Sequence, residues 1–249
     1  WTGSSSTFRR NRSEMSVVII GGGQAGLQVA DSLRSGGYQD GITVIAEEPG
    51  LPYQRPPLSK DYLAPEGNPA PLPLRAASFF ADKEITLRSG VRAAAVDRTA
   101  RTVTLSGGEQ VGYRHLVFAT GTANRALTCP GADLPGVHLL RTLPDAEALH
   151  SALAAARRVV VVGAGFIGLE VAAAARARGC EVTVLEFAPS PMGRALSPAM
   201  GTWFAGAHAR AGIRLRFNEG IASFEPGMDG RVGWAVSTTG SRYRADLVV

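Results

Sequence analysis

Residues 17–26 read VVIIGGGQAG, and residues 159–168 read VVVVGAGFIG. In each stretch a run of four β-branched residues leads into a G-x-G-x-x-G pattern, and a segment rich in alanine and leucine, typical of a helix, follows. One such pattern is weak, but two copies in the same context predict two strand–turn–helix dinucleotide sites. The pattern glycines are Gly21, Gly23, Gly26, Gly163, Gly165 and Gly168.

Each glycine of the pattern has a physical role. The first allows a tight turn after the strand, the second lets the backbone approach a pyrophosphate, and the third lets helix and strand pack closely. The start of the helix then offers free N–H donors and the positive end of its dipole to phosphate groups. An acidic residue at the end of the next strand is expected to bind the adenosine ribose, and Glu47 and Glu186 follow the predicted strands 42–45 and 181–185.

Length and composition narrow the class of protein. The chain has 249 residues, 45% apolar and 19% charged, which suits one large or two medium domains. A net charge of +5 is too modest for a dedicated nucleic-acid binder, and no apolar run approaches the roughly 20 residues needed to cross a bilayer. Cys129 and Cys180 do not form a C-x-x-C pair and the four histidines lack ligand spacing, so we expect no metal site and a reducing, cytoplasmic location.

The order of predicted elements indicates an α/β fold with two Rossmann-like dinucleotide-binding domains of the three-layer ββα type. We expect a disordered leader at 1–14, a first domain at 15–143 and a second domain at 144–249. A proline-rich connection over 49–73 is long enough to be functional or disordered. The end of the chain matches the run that precedes Ala119 in the first domain but stops before the corresponding turn, so we expect the second domain to be incomplete.

Further stretches carry a resemblance to a known family. Residues 52–60 read PYQRPPLSK, residues 119–121 read ATG, residues 140–143 read LRTL, and the second glycine pattern continues with Leu169 and Glu170. With these residues the chain resembles the FAD-dependent NAD(P)H:ferredoxin reductases of the putidaredoxin and rhodocoxin reductase type, in the pyridine nucleotide-disulfide oxidoreductase superfamily. The resemblance implies that hydride passes from NADH to FAD, and single electrons then pass to a [2Fe-2S] ferredoxin. That ferredoxin would serve a cytochrome P450 or a ring-hydroxylating oxygenase.

The resemblance also implies roles for individual residues. The FAD contacts would be Gly21, Gly23, Gln24, Ala25, Gly26, Glu47, Arg55, Lys60, Ala93, Thr120, Gly121 and Arg141. The NADH contacts would be Gly163, Gly165, Phe166, Ile167, Gly168 and Glu186. Lys60 would pair with Glu170 beside the flavin, and these two are the predicted catalytic residues.

Several alternatives stay open. Disulfide reductases of the superfamily carry a cysteine pair after the first acid, where this chain has Arg55 to Lys60, so electrons would leave the flavin directly. The chain could instead be the NADH- and FAD-binding portion of a nitrite-reductase-type or rubredoxin reductase, or a redox-sensing interaction protein resembling apoptosis-inducing factor. Lys60 and Arg141 could be solvated surface residues, and Glu170 could serve only the helix dipole. No nucleic-acid or membrane partner is predicted, and the oligomeric state is open.

Overall fold

The computed structural model describes residues 16–65 and 72–249, so the predicted leader lies outside the described residues. Contacts among the Cα atoms divide the described chain into two compact units. The first unit comprises 16–54 and 72–122, and the second comprises 55–65 and 123–249. The segment 55–65 therefore groups with the second unit, although the sequence analysis assigned it to the first domain. The assignment of one cofactor to each domain stays a prediction.

The first unit contains a parallel sheet and a small antiparallel sheet. Its elements in chain order are β1 (Val17–Ile20), α1 (Gln24–Ser35), β2 (Ile42–Ala46), α2 (Ala77–Asp82), β3 (Ile85–Ser89), β4 (Ala93–Asp97), β5 (Thr102–Leu105), β6 (Gln110–Gly112) and β7 (His115–Phe118). The parallel sheet has the order β3-β2-β1-β7, and β4-β5-β6 form the antiparallel sheet. The predicted strand, glycine turn and helix are present as β1 and α1, and the predicted strand 42–45 is present as β2.

The alternation of side chains along β1 explains why this unit has three layers. Ile19 packs with Leu27 of α1 on one face of the parallel sheet. Val18 packs with Val103 and Leu105 of β5 on the other face. Because successive strand residues point to opposite faces, a strand that is apolar throughout must be covered on both sides. The helices cover one side and the antiparallel sheet covers the other, which confirms the predicted fold class.

The second unit repeats this plan. It contains α3 (Leu143–Ala155), β8 (Arg158–Val162), α4 (Phe166–Ala177), β9 (Glu181–Glu186), α5 (Pro198–Arg210), β10 (Arg214–Phe217), β11 (Ile221–Pro226), β12 (Val232–Ser237), β13 (Arg242–Arg244) and β14 (Leu247–Val248). Two short 3-10 helices, Pro56–Ser59 and Asp61–Leu63, also belong to it. The parallel sheet has the order β10-β9-β8-β14, and β11-β12-β13 form the antiparallel sheet.

The two sheets of the second unit share one core. Val160 of β8 and Leu185 of β9 pack against Phe224 of β11 and Ala235 of β12. Strand β11 was not predicted from the sequence. The pairing of β11 with β12 shifts register twice, once between Ile221 and Ser223 and once between Glu225 and Pro226. Such shifts interrupt the polar–apolar alternation by which a strand is recognised in a sequence.

Asp246 fastens the last strand to the parallel sheet. Its carboxylate accepts hydrogen bonds from the backbone N–H of Arg157 at 3.2 Å and of Arg158 at 2.9 Å. It also accepts from Nε and Nη2 of the Arg158 guanidinium at 3.3 and 2.7 Å. Burial by itself raises the pKa of Asp246, but these hydrogen bonds outweigh it and hold the pKa below its ordinary value. The ionised carboxylate is therefore the form that stabilises the β8–β14 edge.

Replacing Asp246 by Asn should lower the free energy of unfolding by about 1 to 2 kcal/mol at neutral pH, because the amide loses the charge-assisted bonds from Arg158. The pKa is lower in the folded state. The contribution of Asp246 is therefore complete above the ordinary carboxyl pKa and is lost as pH falls below it through the lower folded value. Urea unfolding of both proteins from neutral to acid pH measures this contribution. If the difference in unfolding free energy between the two proteins stayed the same in acid, the stabilising role of the ionised Asp246 would be contradicted. Asp133→Asn is the control, because Asp133 is exposed.

Candidate dinucleotide sites

The first glycine turn is closed by two steric contacts in the first unit. Gly21 has φ +119°, a conformation that favours glycine, and a Cβ on it would lie 2.1 Å from the carbonyl oxygen of Ala119. A Cβ on Gly26 would lie 1.9 Å from the carbonyl oxygen of Gly21. No side chain fits at either position, so α1 packs directly on the turn that follows β1.

The second glycine turn has the same construction in the second unit. Gly163 has φ +108°, and a Cβ on Gly168 would lie 2.1 Å from the carbonyl oxygen of Gly163. The first turn of α4 therefore lies against the end of β8 as α1 lies against β1. The turn predicted for the first glycine and the close packing predicted for the third both agree with this geometry.

The middle glycine of each turn faces open space. Gly23 and Gly165 are the N-cap residues of α1 and α4, with extended backbone and no heavy atom within 4 Å of where a Cβ would stand. Neither helix has a side-chain cap or an acidic residue in its first turn. Both helices therefore begin with N–H groups that no side chain caps, next to a position free of other atoms, and this arrangement suits a pyrophosphate.

The predicted residues on the first turns of these helices are exposed. Gln24 and Ala25 are exposed on α1, and Phe166 and Ile167 are 55% and 49% exposed on α4. Large apolar side chains are unusual on the exposed start of a helix. Here Phe166 and Ile167 stand beside the uncapped N–H groups at the start of α4, after the second glycine turn. Their contact with a dinucleotide stays a prediction.

The two predicted ribose-binding acids do not occupy equivalent positions. In the sheet of the first unit Ile20 pairs with Ile45, and in the second unit Val162 pairs with Leu185. Glu186 therefore corresponds to Ala46, and Glu47 stands one residue further along. Glu186 is thus the last residue of β9, whereas Glu47 lies just beyond the end of β2.

The hydrogen bonds of the two acids reflect that offset. Glu47 is largely exposed and pairs with Nη1 of Arg92 at 3.1 Å. Glu186 accepts from the backbone N–H of Ala164, inside the second glycine turn, at 2.6 Å, and from the N–H of Ala188 at 2.8 Å. The Glu186 carboxylate therefore lies directly on the turn, where it can meet a ribose hydroxyl.

The remaining predicted residues of the first unit lie on or just after its other strands. Ala93 begins β4 and packs against the core cluster that contains Val18. Thr120 and Gly121 follow β7, next to Ala119, whose N–H donates to the Ile20 carbonyl at 2.8 Å. Residues 119–121 and the first glycine turn therefore share the carboxyl end of the parallel sheet, which is where α/β sheets bind nucleotides.

The segment that contains Arg55 and Lys60 is fastened within the second unit. Nη1 of Arg55 donates to the carbonyl of Arg141 at 2.7 Å. At the other end, the Arg178 guanidinium donates to the carbonyls of Leu63 at 2.9 Å and Ala64 at 3.1 Å. These bonds bring Arg55 and Arg141 together, as expected of two residues with a common ligand, although a flavin contact by either residue stays a prediction.

Lys60 and Glu170 form the predicted pair. The Lys60 Nζ lies 3.0 Å from Oε1 of Glu170, and the side chains are 49% and 29% exposed. The second carboxylate oxygen of Glu170 accepts from Oγ of Ser59 at 2.5 Å. Glu170 is the fifth residue of α4, beyond the first turn where a helix dipole acts, so the dipole alternative loses its basis. The sequence analysis missed Ser59, whose only signal was its place beside Lys60.

An open cavity of about 510 Å³ lies beside the second glycine turn, entirely within the second unit. Its lining includes Phe166, Ile167, Leu139, His138 and Arg125. Burial, together with the charge of Arg231, lowers the pKa of His138, so its imidazole is neutral at pH 7. The cavity thus combines an apolar wall with the Arg125 cation, a composition typical of ligand sites, and neither Arg125 nor the cavity was predicted.

The described residues contain no group of three or more His, Cys, Asp or Glu side chains placed to bind a metal ion. Over the same residues no helix combines the length and apolar character that crossing a bilayer requires.

Serine should have different effects on stability at the second and third glycines of the second glycine turn. Gly165→Ser should change the free energy of unfolding by no more than about 0.5 kcal/mol, because serine suits an N-cap and the position is open. Gly168→Ser should lower it by about 1 to 3 kcal/mol, because its Cβ meets the Gly163 carbonyl. Urea unfolding without nucleotide compares them, and equal losses would contradict the assignment of separate roles.

Known proteins resemble this chain in both sequence and fold. Residues 15–249 match the family profile of the pyridine nucleotide-disulphide oxidoreductases. Rhodocoxin reductase of Rhodococcus erythropolis is 48% identical over 235 residues, which are 94% of this chain and 55% of that protein. The chain therefore spans about half the length of this curated relative.

Two solved structures are similar over 94% of this chain and 57% of their own. The ferredoxin reductase for the CYP199A2 system from Rhodopseudomonas palustris is 44% identical, with a TM-score of 0.90. The covalent putidaredoxin reductase–putidaredoxin complex is 36% identical, with a TM-score of 0.88. Sequence match and shared fold thus agree, and this chain belongs to the pyridine nucleotide-disulphide oxidoreductase family.

Proposed function

We propose that the protein containing this chain is a flavoprotein reductase, which takes electrons from NADH through FAD and delivers them singly to a [2Fe-2S] ferredoxin. The observation that carries this proposal is the pair of open helix N-termini at Gly23 and Gly165, one in each unit. Two dinucleotide sites in one chain are what an enzyme needs to hold an electron donor and a flavin together. A P450 or a ring-hydroxylating oxygenase as the final acceptor, and a cytoplasmic location, belong to the proposal.

The residues of the first unit fit FAD. The open space at Gly23 admits a pyrophosphate, which the uncapped N-terminus of α1 would bind. Thr120 and Gly121 lie at the same edge of the sheet, and Glu47, which follows β2, would bind the ribose. FAD, when bound, supplies the conversion between two-electron and one-electron transfer.

The residues of the second unit fit NADH. The open space at Gly165 would receive the pyrophosphate, and the Glu186 carboxylate on the turn would accept from the ribose hydroxyls. Phe166 and Ile167 provide an apolar wall beside that turn. A carboxylate at this place repels a 2′-phosphate, so the site favours NADH over NADPH.

Lys60 and Glu170 are the proposed catalytic pair. Lys60 would hold a positive charge beside the flavin and so favour the negative charge that the ring gains on reduction. Glu170 would keep the ammonium in place through the contact at 3.0 Å. Arg55, which donates a hydrogen bond to the Arg141 carbonyl, would also contact the flavin.

The cysteines support direct transfer from flavin to an external acceptor. Cys129 is partly buried, Cys180 is buried, and both are free. Burial raises the pKa of both thiols, which disfavours the reactive thiolate. Cys180 instead contacts the Ala156 carbonyl at 3.3 Å, as a structural residue would. A dithiol step within this chain therefore has no support.

The full-length protein tests this proposal. Its visible absorbance should show bound FAD, and this absorbance should fall when NADH is mixed in and reduces the flavin. An added [2Fe-2S] ferredoxin should then be reduced at many turnovers per second. Rubredoxin and nitrite are the matched alternative acceptors. If either were reduced faster than the ferredoxin, that acceptor would take the place of ferredoxin in the proposal. Slow reduction with a long-lived complex would favour the redox-sensing alternative. Absence of FAD would contradict the proposed function altogether.

The coenzyme preference should depend on Glu186. We expect a higher kcat/KM with NADH than with NADPH, and Glu186→Arg should shift the ratio toward NADPH by about tenfold or more, because the guanidinium can bind a 2′-phosphate. Glu181→Arg is the matched control, since Glu181 lies at the opposite end of β9 and pairs with Arg214 at 3.2 Å. Steady-state kinetics with both coenzymes measure the ratio. Equal values in the unaltered protein would contradict the role of Glu186.

A further inference from the structure

Two neighbouring residues of the chain bind the two oxygens of one carboxylate. Ser59 donates its hydroxyl to Oε2 of Glu170 at 2.5 Å, and the Lys60 ammonium lies 3.0 Å from Oε1. Among the described residues, no buried side-chain nitrogen or oxygen lacks a hydrogen-bond partner. The Ser59 hydroxyl therefore has a defined use, which is to hold one half of Glu170 while the other half faces Lys60.

The ion pair by itself is too weak to fix this arrangement. Lys60 is half exposed, and an exposed lysine–carboxylate pair contributes little because water screens the charges and the long side chain loses rotamer freedom. The Lys60 Nζ also donates to the Pro56 carbonyl at 3.2 Å, so the ammonium has a second partner available. Something other than the lysine must therefore set the orientation of Glu170.

Ser59 has the properties that this task needs. It is only 5% exposed, and a short side chain with a single χ angle has little freedom to lose. A hydroxyl that donates to an ionised carboxylate makes one of the stronger hydrogen bonds in proteins, because the acceptor is charged. The burial of Ser59 keeps water from competing for its hydroxyl.

Both ends of this hydrogen bond stand on firmly held backbone. On one side, the Leu58 N–H donates to the Arg55 carbonyl and the Lys60 N–H to the Pro57 carbonyl, each at 3.0 Å. On the other side, Glu170 lies on α4 between two buried residues, Leu169 and Val171. The direction of the Ser59–Glu170 bond is therefore set by the fold of the second unit.

We propose that Ser59 is a positioning residue of the reductase: by holding Oε2 of Glu170, it directs Oε1 to Lys60 and so places the lysine charge for electron transfer into the flavin. The inference rests on the proposed function, in which Lys60 faces the flavin. It assigns to Ser59 no contact with either cofactor. Its effect must pass through Glu170, and this is what separates a positioning role from a purely structural one.

The test uses the full-length, FAD-loaded protein and stopped-flow flavin reduction by NADH. Ser59→Ala should slow reduction by about three- to tenfold, less than Lys60→Ala, with the KM for NADH and FAD retention little changed. Ser59→Thr keeps the hydroxyl and should restore most of the rate. Ser237→Ala is the matched control, because Ser237 is a buried serine of the same unit whose hydroxyl bonds to Thr239 at 2.9 Å and not to a carboxylate.

The decisive measurement is the Ser59→Ala change made in a Glu170→Ala background. If Ser59 acts through Glu170, the double variant should reduce its flavin at the rate of Glu170→Ala alone. A further loss equal to that of the single Ser59 variant would overturn the inference. If Ser59→Ala loses FAD on purification, Ser59→Cys replaces it, since the thiol has similar volume but is a weak donor.

The remaining outcomes separate this inference from the proposed function. Flavin reduction by NADH in the unaltered protein with no effect of Ser59→Ala would overturn the positioning role and leave the reductase intact. A normal rate for Lys60→Ala would also overturn it, because no charge would then need placing. Failure of NADH to reduce the flavin in the unaltered protein would instead overturn the proposed function.

Discussion

The contact between the first and third glycines of each turn is the constraint on which the rest of the structure depends. In both units a Cβ on the third glycine would overlap the carbonyl oxygen of the first, at Gly26 on Gly21 and at Gly168 on Gly163. Its absence lets the helix lie directly on the strand, and this fixes where the helix begins. The first N–H groups then face the carboxyl edge of the parallel sheet, and Gly165 opens the space in front of them. One steric condition thus fixes both the turn and the start of the helix that follows it.

The same constraint does not make the two sites identical. At the second position of the pattern, a Cβ on Gly22 would lie 2.6 Å from the Ala46 side chain, whereas Ala164 is accommodated and fully buried. The strand register makes Ala46 the counterpart of Glu186. The residue that crowds Gly22 in the first unit is therefore an alanine, whereas the second unit has a glutamate at that place. A carboxylate that reaches the Ala164 N–H is therefore a property of the second unit alone. The two turns share a backbone plan, but the residue at the end of the second strand differs between them.

The predictable part of the fold was the part governed by local pattern. Strand, glycine turn and helix follow one another in β1–α1 and β8–α4, so both were located from the sequence. Strand β11 was not, because its two register shifts break the alternation. The grouping of residues 55–65 with the second unit depends on contacts more than a hundred positions apart, such as Ser59 with Glu170, and no local pattern reports these. The pairing of Lys60 with Glu170 came from family resemblance, and the one-residue offset between Glu47 and Glu186 is finer than a spacing of about 20 residues can resolve.

The Lys60–Glu170 pair illustrates how position can matter more than stability. A half-exposed ion pair adds at most about 1 kcal/mol to folding, so stability gives little reason for these two residues to meet. In the proposed reductase, the value of the pair lies in where the charge stands, since electrostatic stabilisation acts only when the charge is already in place as electron density moves. A solvated lysine would have to be reoriented at that moment. In the proposed reductase, the buried Ser59 hydroxyl would limit this reorientation, because it holds the carboxylate that the ammonium faces.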